Sequence, residues 1–225
     1  LHHPKHSFPT RRSSDLSKAL VQPVVEAVRK GVPVINIDIR LDTQLLEQAG
    51  VEVAFVGPDN FAAAYEVGKL LDKKLRNEDK VAIIEGLAAA DNAQQRKRGF
   101  IKAIEEKGLR LVASEPADWE TEKAAEVFQA MWMRYPDLKA VYCSNDAMAL
   151  GVLQQMQEKN CYLPVVGFDN DAVMKEFLST GKLVATADIF SSQMAVRGIE
   201  FALDVLEGKI ENRGVHSTAY EIIKQ

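Results

Sequence analysis

Five polar or aromatic residues stand at or shortly after the ends of apolar runs, and their side chains suit a ligand that carries many hydroxyl groups. Carboxylates and amides hydrogen-bond vicinal hydroxyls, an arginine adds charge-assisted donors, and an indole face covers the C–H side of a sugar ring. The combination predicts a binding site for a neutral, polyhydroxylated small molecule. The residues are Asp38, Arg96, Trp119, Asn145 and Asp169.

Each of these residues also has a purely structural interpretation. Asp38 and Asn145 could serve only as helix caps. Arg96 could pair with nearby surface acids, and Trp119 could anchor a loop on the core. The argument for a site is therefore the convergence of all five at strand ends rather than any one residue.

The same inventory does not favour catalysis. His216 is the only histidine after the first six residues, so no nucleophile has a predicted histidine partner. The carboxylates at 169–171 are interpreted as one ligand contact and one helix cap, and the run fails as a calcium loop because Val173 and Met174 stand where a ligand and a glycine are required. Neither a dinucleotide motif nor a phosphate loop is present. We expect no enzyme activity, no cofactor and no metal.

Short apolar runs alternate with amphipathic helices along most of the chain. Such βαβα alternation, with strands that are apolar almost throughout, is typical of parallel sheets covered by helices on both faces. The sequence therefore predicts an α/β, doubly wound fold with its ligand at the carboxyl ends of the strands. The pattern leaves open whether there is one sheet or two lobes. The predicted strands are 32–38, 53–56, 80–85, 109–113, 140–144, 163–168, 183–188 and 219–223.

Composition excludes several classes of protein. The 225 residues carry 28 basic and 32 acidic side chains, a net charge of −4 with both signs interspersed, so we expect no nucleic-acid partner. No apolar run approaches the roughly 18 to 20 residues of a membrane span. Residues 1–16 have no apolar period and are predicted to be a disordered tail that is not native to the fold.

The order of the elements at the start of the fold is unusual. A doubly wound sheet normally begins with a strand, whereas here the helix predicted over 18–30 comes first. We therefore expect that the first βαβ portion is missing, which would leave a sheet edge uncovered.

Six ordered motifs resemble the periplasmic sugar-binding proteins of ABC transporters, of the ribose and allose type. The resemblance implies two α/β lobes that a hinge joins and that close on a monosaccharide, in a monomer that docks on a membrane permease. It implies a periplasmic or an extracellular, lipid-anchored location. The implied lobes are 17–77 with 190–214, and 78–189 with 215–225. The motifs are GVPVINID (31–38), VAIIEG (81–86), ASEPADW (113–119), YCSNDAMALG (142–151), VVGFDN (165–170) and GKLVATAD (181–188).

The resemblance assigns sugar contacts to the same five residues that the strand ends suggested: Asp38, Arg96, Trp119, Asn145 and Asp169. Contacts that come from the family's first two strands have no counterpart here, which predicts weak binding.

Two positions depart from the family pattern, because Ile39 replaces an arginine and Ile189 replaces a hinge glutamine. Both changes remove hydrogen-bonding groups, so we expect a ligand that is less polar at that edge than ribose or allose, such as a deoxysugar or a branched polyol.

One alternative comes from another functional class. The effector-binding domain of a LacI-type transcriptional repressor shares this fold and the SND and GFD strings. The GKLVATAD and PADW strings resemble the transport proteins instead, so the repressor domain is the second hypothesis.

Overall fold

The computed structural model describes residues 16–224. The predicted disordered tail at 1–16 lies outside those residues except for Leu16, where the first helix begins. No helix within the described range is long and apolar enough to cross a membrane.

Nine helices and nine strands form the described part of the chain, and all are short enough to belong to alternating βα units. The helices are α1 (Leu16–Ala19), α2 (Val21–Arg29), α3 (Thr43–Gln48), α4 (Asn60–Asp72), α5 (Asp91–Lys107), α6 (Thr121–Arg134), α7 (Asp146–Glu158), α8 (Lys175–Ser179) and α9 (Ser191–Leu206), with a 3₁₀ turn at Ala172–Met174. The strands are β1 (Asn36–Ile37), β2 (Phe55–Pro58), β3 (Lys80–Glu85), β4 (Arg110–Pro116), β5 (Ala140–Cys143), β6 (Val165–Val166), β7 (Leu183–Asp188), β8 (Val215–Thr218) and β9 (Glu221–Lys224).

The strands form two sheets. The small sheet has the order β1-β2-β8 and is parallel throughout. The large sheet has the order β4-β3-β5-β6-β7-β9, in which only β9 runs antiparallel to its neighbour. The α/β prediction is confirmed, with the correction that one edge strand of the large sheet is antiparallel. The last predicted strand, 219–223, corresponds to β9, whereas β8 directly before it was not predicted, and the chain passes from one sheet to the other between the two.

Helices cover both faces of the large sheet, as alternation along β3 shows. Val81 and Ile83 join a buried cluster with α4 and α5, whereas Ala82 and Ile84 join another with α6 and α7. Successive residues of β3 therefore point to opposite faces of the sheet, and both faces are buried. This is why the strand is apolar throughout. The small sheet packs on α9, and a separate, smaller core joins α2 and α3.

The packing corrects the implied lobe boundaries. Helix α4 lies before the implied boundary at 77, yet its buried face packs on the large sheet. Strand β8 lies after the implied boundary at 214, yet it pairs with β2. We use "small lobe" for the β1-β2-β8 sheet with α1–α3 and α9, and "large lobe" for the remaining elements. The chain crosses between the lobes three times: from β2 to α4, from β7 to α9, and from β8 to β9.

Candidate functional site

All five predicted residues line one cavity of about 360 Å³ between the lobes. Asp38 reaches it from the small lobe, directly after β1, and the other four come from the large lobe. The carboxyl ends of parallel strands lie at one edge of a sheet, which is how the four residues of the large lobe meet there, and Asp38 lies at the carboxyl end of β1 in the other sheet. The volume of the cavity lies near the lower end of the range for small-molecule sites, which begins at roughly 300 Å³.

Arg96 is the buried centre of the cavity wall, with only 3% of its surface exposed. Its Nε donates to Asn60 Oδ1 at 2.8 Å, and its Nη1 donates to the Ser144 carbonyl at 2.8 Å and to Asp169 Oδ1 at 3.2 Å. Its guanidinium also lies 3.7 Å from the centroid of the Phe168 ring. The interpretation of Arg96 as a surface partner is therefore wrong, since burial and three fixed hydrogen bonds hold it inside the site.

Burial and the Arg96 charge shift the pKa values of the ionisable groups at the site. Burial lowers the pKa of Arg96, while the nearby carboxylates of Asp169 and Asp38 act in the opposite direction. Burial raises the pKa of Asp169 to about 6, and the Arg96 charge limits that rise. The ion pair thus leaves one polar wall with both strong donors and strong acceptors.

Asp38 is the acceptor on the opposite wall. Among residues 16–224 its carboxylate has no hydrogen-bond partner, although the side chain is only partly exposed. Its backbone φ is 67°, a left-handed conformation that favours glycine but that Asp tolerates. An unpaired carboxylate that faces a cavity is free to accept hydrogen bonds from a ligand.

Trp119 occupies its position because a glycine leaves room for the indole. A Cβ atom added at Gly86 would lie 2.1 Å from Trp119 Cη2, far inside contact distance. The indole also lies near Arg96, whose guanidinium carbon is 5.5 Å from the ring centroid. Trp119 has a φ of 71°, a costly conformation for a bulky residue.

Asn145 is a helix cap that also lines the cavity. It is the N-cap of α7, where its Oδ1 accepts from the Met148 N–H at 2.9 Å, and it also lines the cavity. Because the oxygen is used by the cap, the amide NH₂ is the group that remains for a ligand.

A buried carboxylate behind the cavity was not identified from the sequence. Asp146 accepts hydrogen bonds from Phe168 N–H at 2.9 Å, Asp171 N–H at 2.8 Å and Thr186 Oγ1 at 2.9 Å. These bonds fix the loop that carries Asp169. Burial raises the pKa of Asp146 to about 7, and the donors from Asp171 and Thr186 oppose that rise. Its place next to Asn145, at a helix start, is the one sequence signal that points to it.

The cavity also has five lining residues that were not assigned a ligand contact. Polar groups come from Asn92 and Ser191 in the first turns of α5 and α9, and from the exposed Asp171. The other two are Ile39 and Ile189, the positions that depart from the family pattern. Strained backbone concentrates around this cavity as well, which is common at binding sites. The non-glycine residues with positive φ in or beside it are Asp38, Asp118, Trp119, Asp169, Asn170 and Phe190.

Comparisons with known proteins agree with this geometry. The family model described as "Periplasmic binding protein domain" matches residues 15–210. The D-ribose/D-allose-binding protein of Pseudomonas aeruginosa is 42% identical over 212 residues, which are 92% of this chain and 66% of that protein. The D-allose-binding periplasmic protein of Escherichia coli is 35% identical over 190 residues, 82% of this chain and 61% of that protein. The chain therefore spans about two thirds or less of the length of these curated relatives.

Solved structures extend the likeness to the whole described fold. A solute-binding protein of an ABC transporter from Burkholderia multivorans superposes with a TM-score of 0.88 at 40% identity, covering 92% of this chain and 74% of that one. A periplasmic solute-binding protein of an ABC transporter from Actinobacillus succinogenes, with bound D-allose, gives 0.86 at 31% identity and covers 92% and 75%. These relatives are transport proteins, which does not favour the repressor hypothesis.

Proposed function

The chain belongs to the periplasmic binding protein domain family, and on that premise we propose that it binds a monosaccharide in the cavity between its two lobes. The observation that carries this proposal is the convergence of donors, acceptors and an indole on one cavity, where the Asp38 carboxylate has no hydrogen-bond partner among the described residues. Each hydroxyl group of a sugar both donates and accepts hydrogen bonds, and the cavity offers carboxylate acceptors beside guanidinium and amide donors. Residues Asp38, Arg96, Trp119, Asn145 and Asp169 are the proposed contacts.

The mechanism is binding that shifts an equilibrium between open and closed arrangements of the lobes. Asp38 lies on the small lobe and the other four residues on the large lobe, so a sugar that touches both sets stabilises the closed arrangement. Within residues 16–224, three short connections join the lobes, and we propose that they form the hinge. No step in this mechanism requires turnover.

The named relatives suggest the cellular role. Proteins called ribose- and allose-binding, and solute-binding proteins of ABC transporters, match most of this chain. We propose that the whole protein is the monomeric sugar-binding component of an ABC importer, that it acts in the periplasm or lipid-anchored outside the cell, and that its closed form delivers sugar to a membrane permease. The proposed lobes are the small and large lobes defined above.

Tryptophan fluorescence tests this proposal directly, because the chain has only two tryptophans. Trp119 lines the cavity, whereas Trp132 lies in α6 and packs edge-to-face against Phe128 at 5.5 Å. The Trp132→Phe variant should give a saturable change in emission with D-ribose or D-allose at up to millimolar concentration. The Trp119→Phe variant is the matched control and should show no change.

The proposal fails if no monosaccharide in a panel of pentoses, hexoses and their deoxy forms alters Trp119 emission or releases heat in calorimetry. It also fails if the signal is equal in both variants, since binding would then lie outside the cavity. Thermal melting of each variant confirms that it is folded.

A further inference from the structure

Two isoleucines line the cavity, one from the small lobe and one at a lobe crossing, and we call them the apolar edge. Ile39 follows Asp38 in the small lobe, and Ile189 follows β7 where the chain crosses into α9. Ile189 is buried, with 4% of its surface exposed. Among the described residues that line this cavity, these two are the only aliphatic ones. The polar wall around Arg96 therefore faces the cavity together with a small region that has no side-chain donor or acceptor.

Two charged sequence neighbours of the isoleucines, Arg40 and Asp188, are directed away from the cavity. Asp38 and Ser191, in contrast, line it together with the isoleucines. Arg40 follows Ile39, but its guanidinium lies over the Phe55 ring at 5.7 Å and lines a different cleft. Asp188 precedes Ile189, but its carboxylate accepts from Asn170 Nδ2 at 2.9 Å and from Phe190 N–H at 2.7 Å. Neither charged group replaces the hydrogen bonds that the isoleucines cannot make. Neither Arg40 nor Asp188 therefore brings a charged group to the apolar edge.

We propose that the natural ligand presents a methyl or methylene group, rather than a hydroxyl group, to the apolar edge of Ile39 and Ile189. The ligand class is a deoxysugar, and the inference rests on the proposed function. A hydroxyl buried against the two isoleucines gives up hydrogen bonds to water that their side chains cannot replace, whereas a methyl group gains from leaving water. Discrimination in an apolar pocket of this kind amounts to about 10- to 200-fold.

Matched pairs of sugars test the inference by calorimetric or fluorescence titration. The pairs are D-allose with 6-deoxy-D-allose and D-galactose with D-fucose. We expect the deoxy member of at least one pair to bind about tenfold more tightly than its hydroxylated partner. If the hydroxylated member binds equally well or better in every pair that binds, this inference is overturned and the proposed function stands. If no sugar of these pairs or of the wider panel binds, the proposed function fails and the inference with it.

Substitution of the edge provides a second, independent readout. Ile189→Gln adds a donor and an acceptor to the edge and should reduce or reverse the preference for the deoxy sugar. Ile39→Gln is the second variant, because Ile39 is only partly buried and tolerates the change if Ile189→Gln fails to fold. Ile199→Gln is the matched control, because Ile199 is 63% exposed on α9 and does not line the cavity. A preference unchanged in a folded edge variant overturns the inference.

Discussion

Replacing Arg96 by methionine tests whether this arginine holds the site together. Methionine keeps most of the apolar stem but removes all three hydrogen bonds, to Asn60 Oδ1, Ser144 O and Asp169 Oδ1. Asn60 and Ser144 are 2% and 0% exposed, so water does not easily replace the lost donors. An unsatisfied buried acceptor costs about 1 to 3 kcal/mol, and more when it is charged.

The expected loss of unfolding free energy for Arg96→Met is about 4 kcal/mol. Two neutral acceptors account for about half of it, and the carboxylate of Asp169 accounts for the rest. The Asp169 side chain is 27% exposed, so solvent recovers part of the cost of an unpaired charge and the loss stays near the low end of the range for buried pairs.

A double-mutant cycle with Asp169→Asn separates the ion pair from the other bonds. Asp169→Asn removes the charge that Arg96→Met leaves unpaired, so the double variant should lose about 2 kcal/mol less than the sum of the single variants. Urea denaturation of the four proteins supplies the free energies. Additive losses, within about 0.5 kcal/mol, would refute the reasoning that the two side chains act as a pair.

Three further predictions follow from buried contacts. In Gly86→Ala the new Cβ overlaps the Trp119 indole, so sugar affinity should fall at least about tenfold and the free energy of unfolding by about 1 to 3 kcal/mol. The loss of stability should vanish in a Trp119→Ala background, and its persistence there would contradict the overlap. Burial raises the pKa of Asp146 above its unfolded value, to about 7, so its stabilising contribution is present below about pH 4 and is lost as pH rises through 7. Urea denaturation from pH 5 to pH 8 should therefore show falling stability, with a smaller slope in Asp146→Asn; an equal slope would exclude Asp146 as the source. Tyr142→Phe removes the donor to the buried Asp72 carboxyl and should lower the free energy of unfolding by about 1 to 3 kcal/mol. The control is Tyr65→Phe, which removes an exposed hydroxyl and should change the free energy of unfolding by less than about 0.5 kcal/mol. Equal losses in the two variants would contradict the role of burial.

Several strands of the large lobe were predictable from a strong local signal, although the predicted strand 163–168 is reduced to Val165–Val166. Strands β3 and β7 coincide with the predicted 80–85 and 183–188. In the small lobe the predicted strand 32–38 shrinks to Asn36–Ile37. An apolar run reports burial, but pairing with a neighbouring strand decides how much of it becomes a strand, and β1 pairs only with β2.

The lobe boundaries were not predictable from periodicity. Helix α4 is amphipathic whichever sheet it covers, so its pattern does not reveal that it packs on the large sheet. Likewise, no local signal separates β8 from β9, because the two pair with different sheets only two residues apart. Sheet membership is a long-range property.

The residue types of the site were predictable from the sequence, whereas the contacts that hold them in place were not. Strand ends located Asp38, Trp119 and Asp169, because chain topology brings such ends together. The triple hydrogen bond of Arg96 and the loop that Asp146 fixes depend on contacts over 22 to 73 residues, which spacing alone does not show. The positive φ values at Asp38 and Trp119 carry no sequence signal, since neither residue is a glycine.

Calorimetric titration of Asp38→Asn shows whether one sugar contacts both lobes. Asparagine tolerates the positive φ at this position, so the variant should melt like the wild-type chain while it loses the unpaired carboxylate. The account predicts single-site binding of a monosaccharide that weakens about tenfold or more in Asp38→Asn and in Trp119→Phe alike, because the two residues lie on different lobes. Sugar binding that Trp119→Phe weakens but Asp38→Asn leaves unchanged would contradict a ligand held between the lobes.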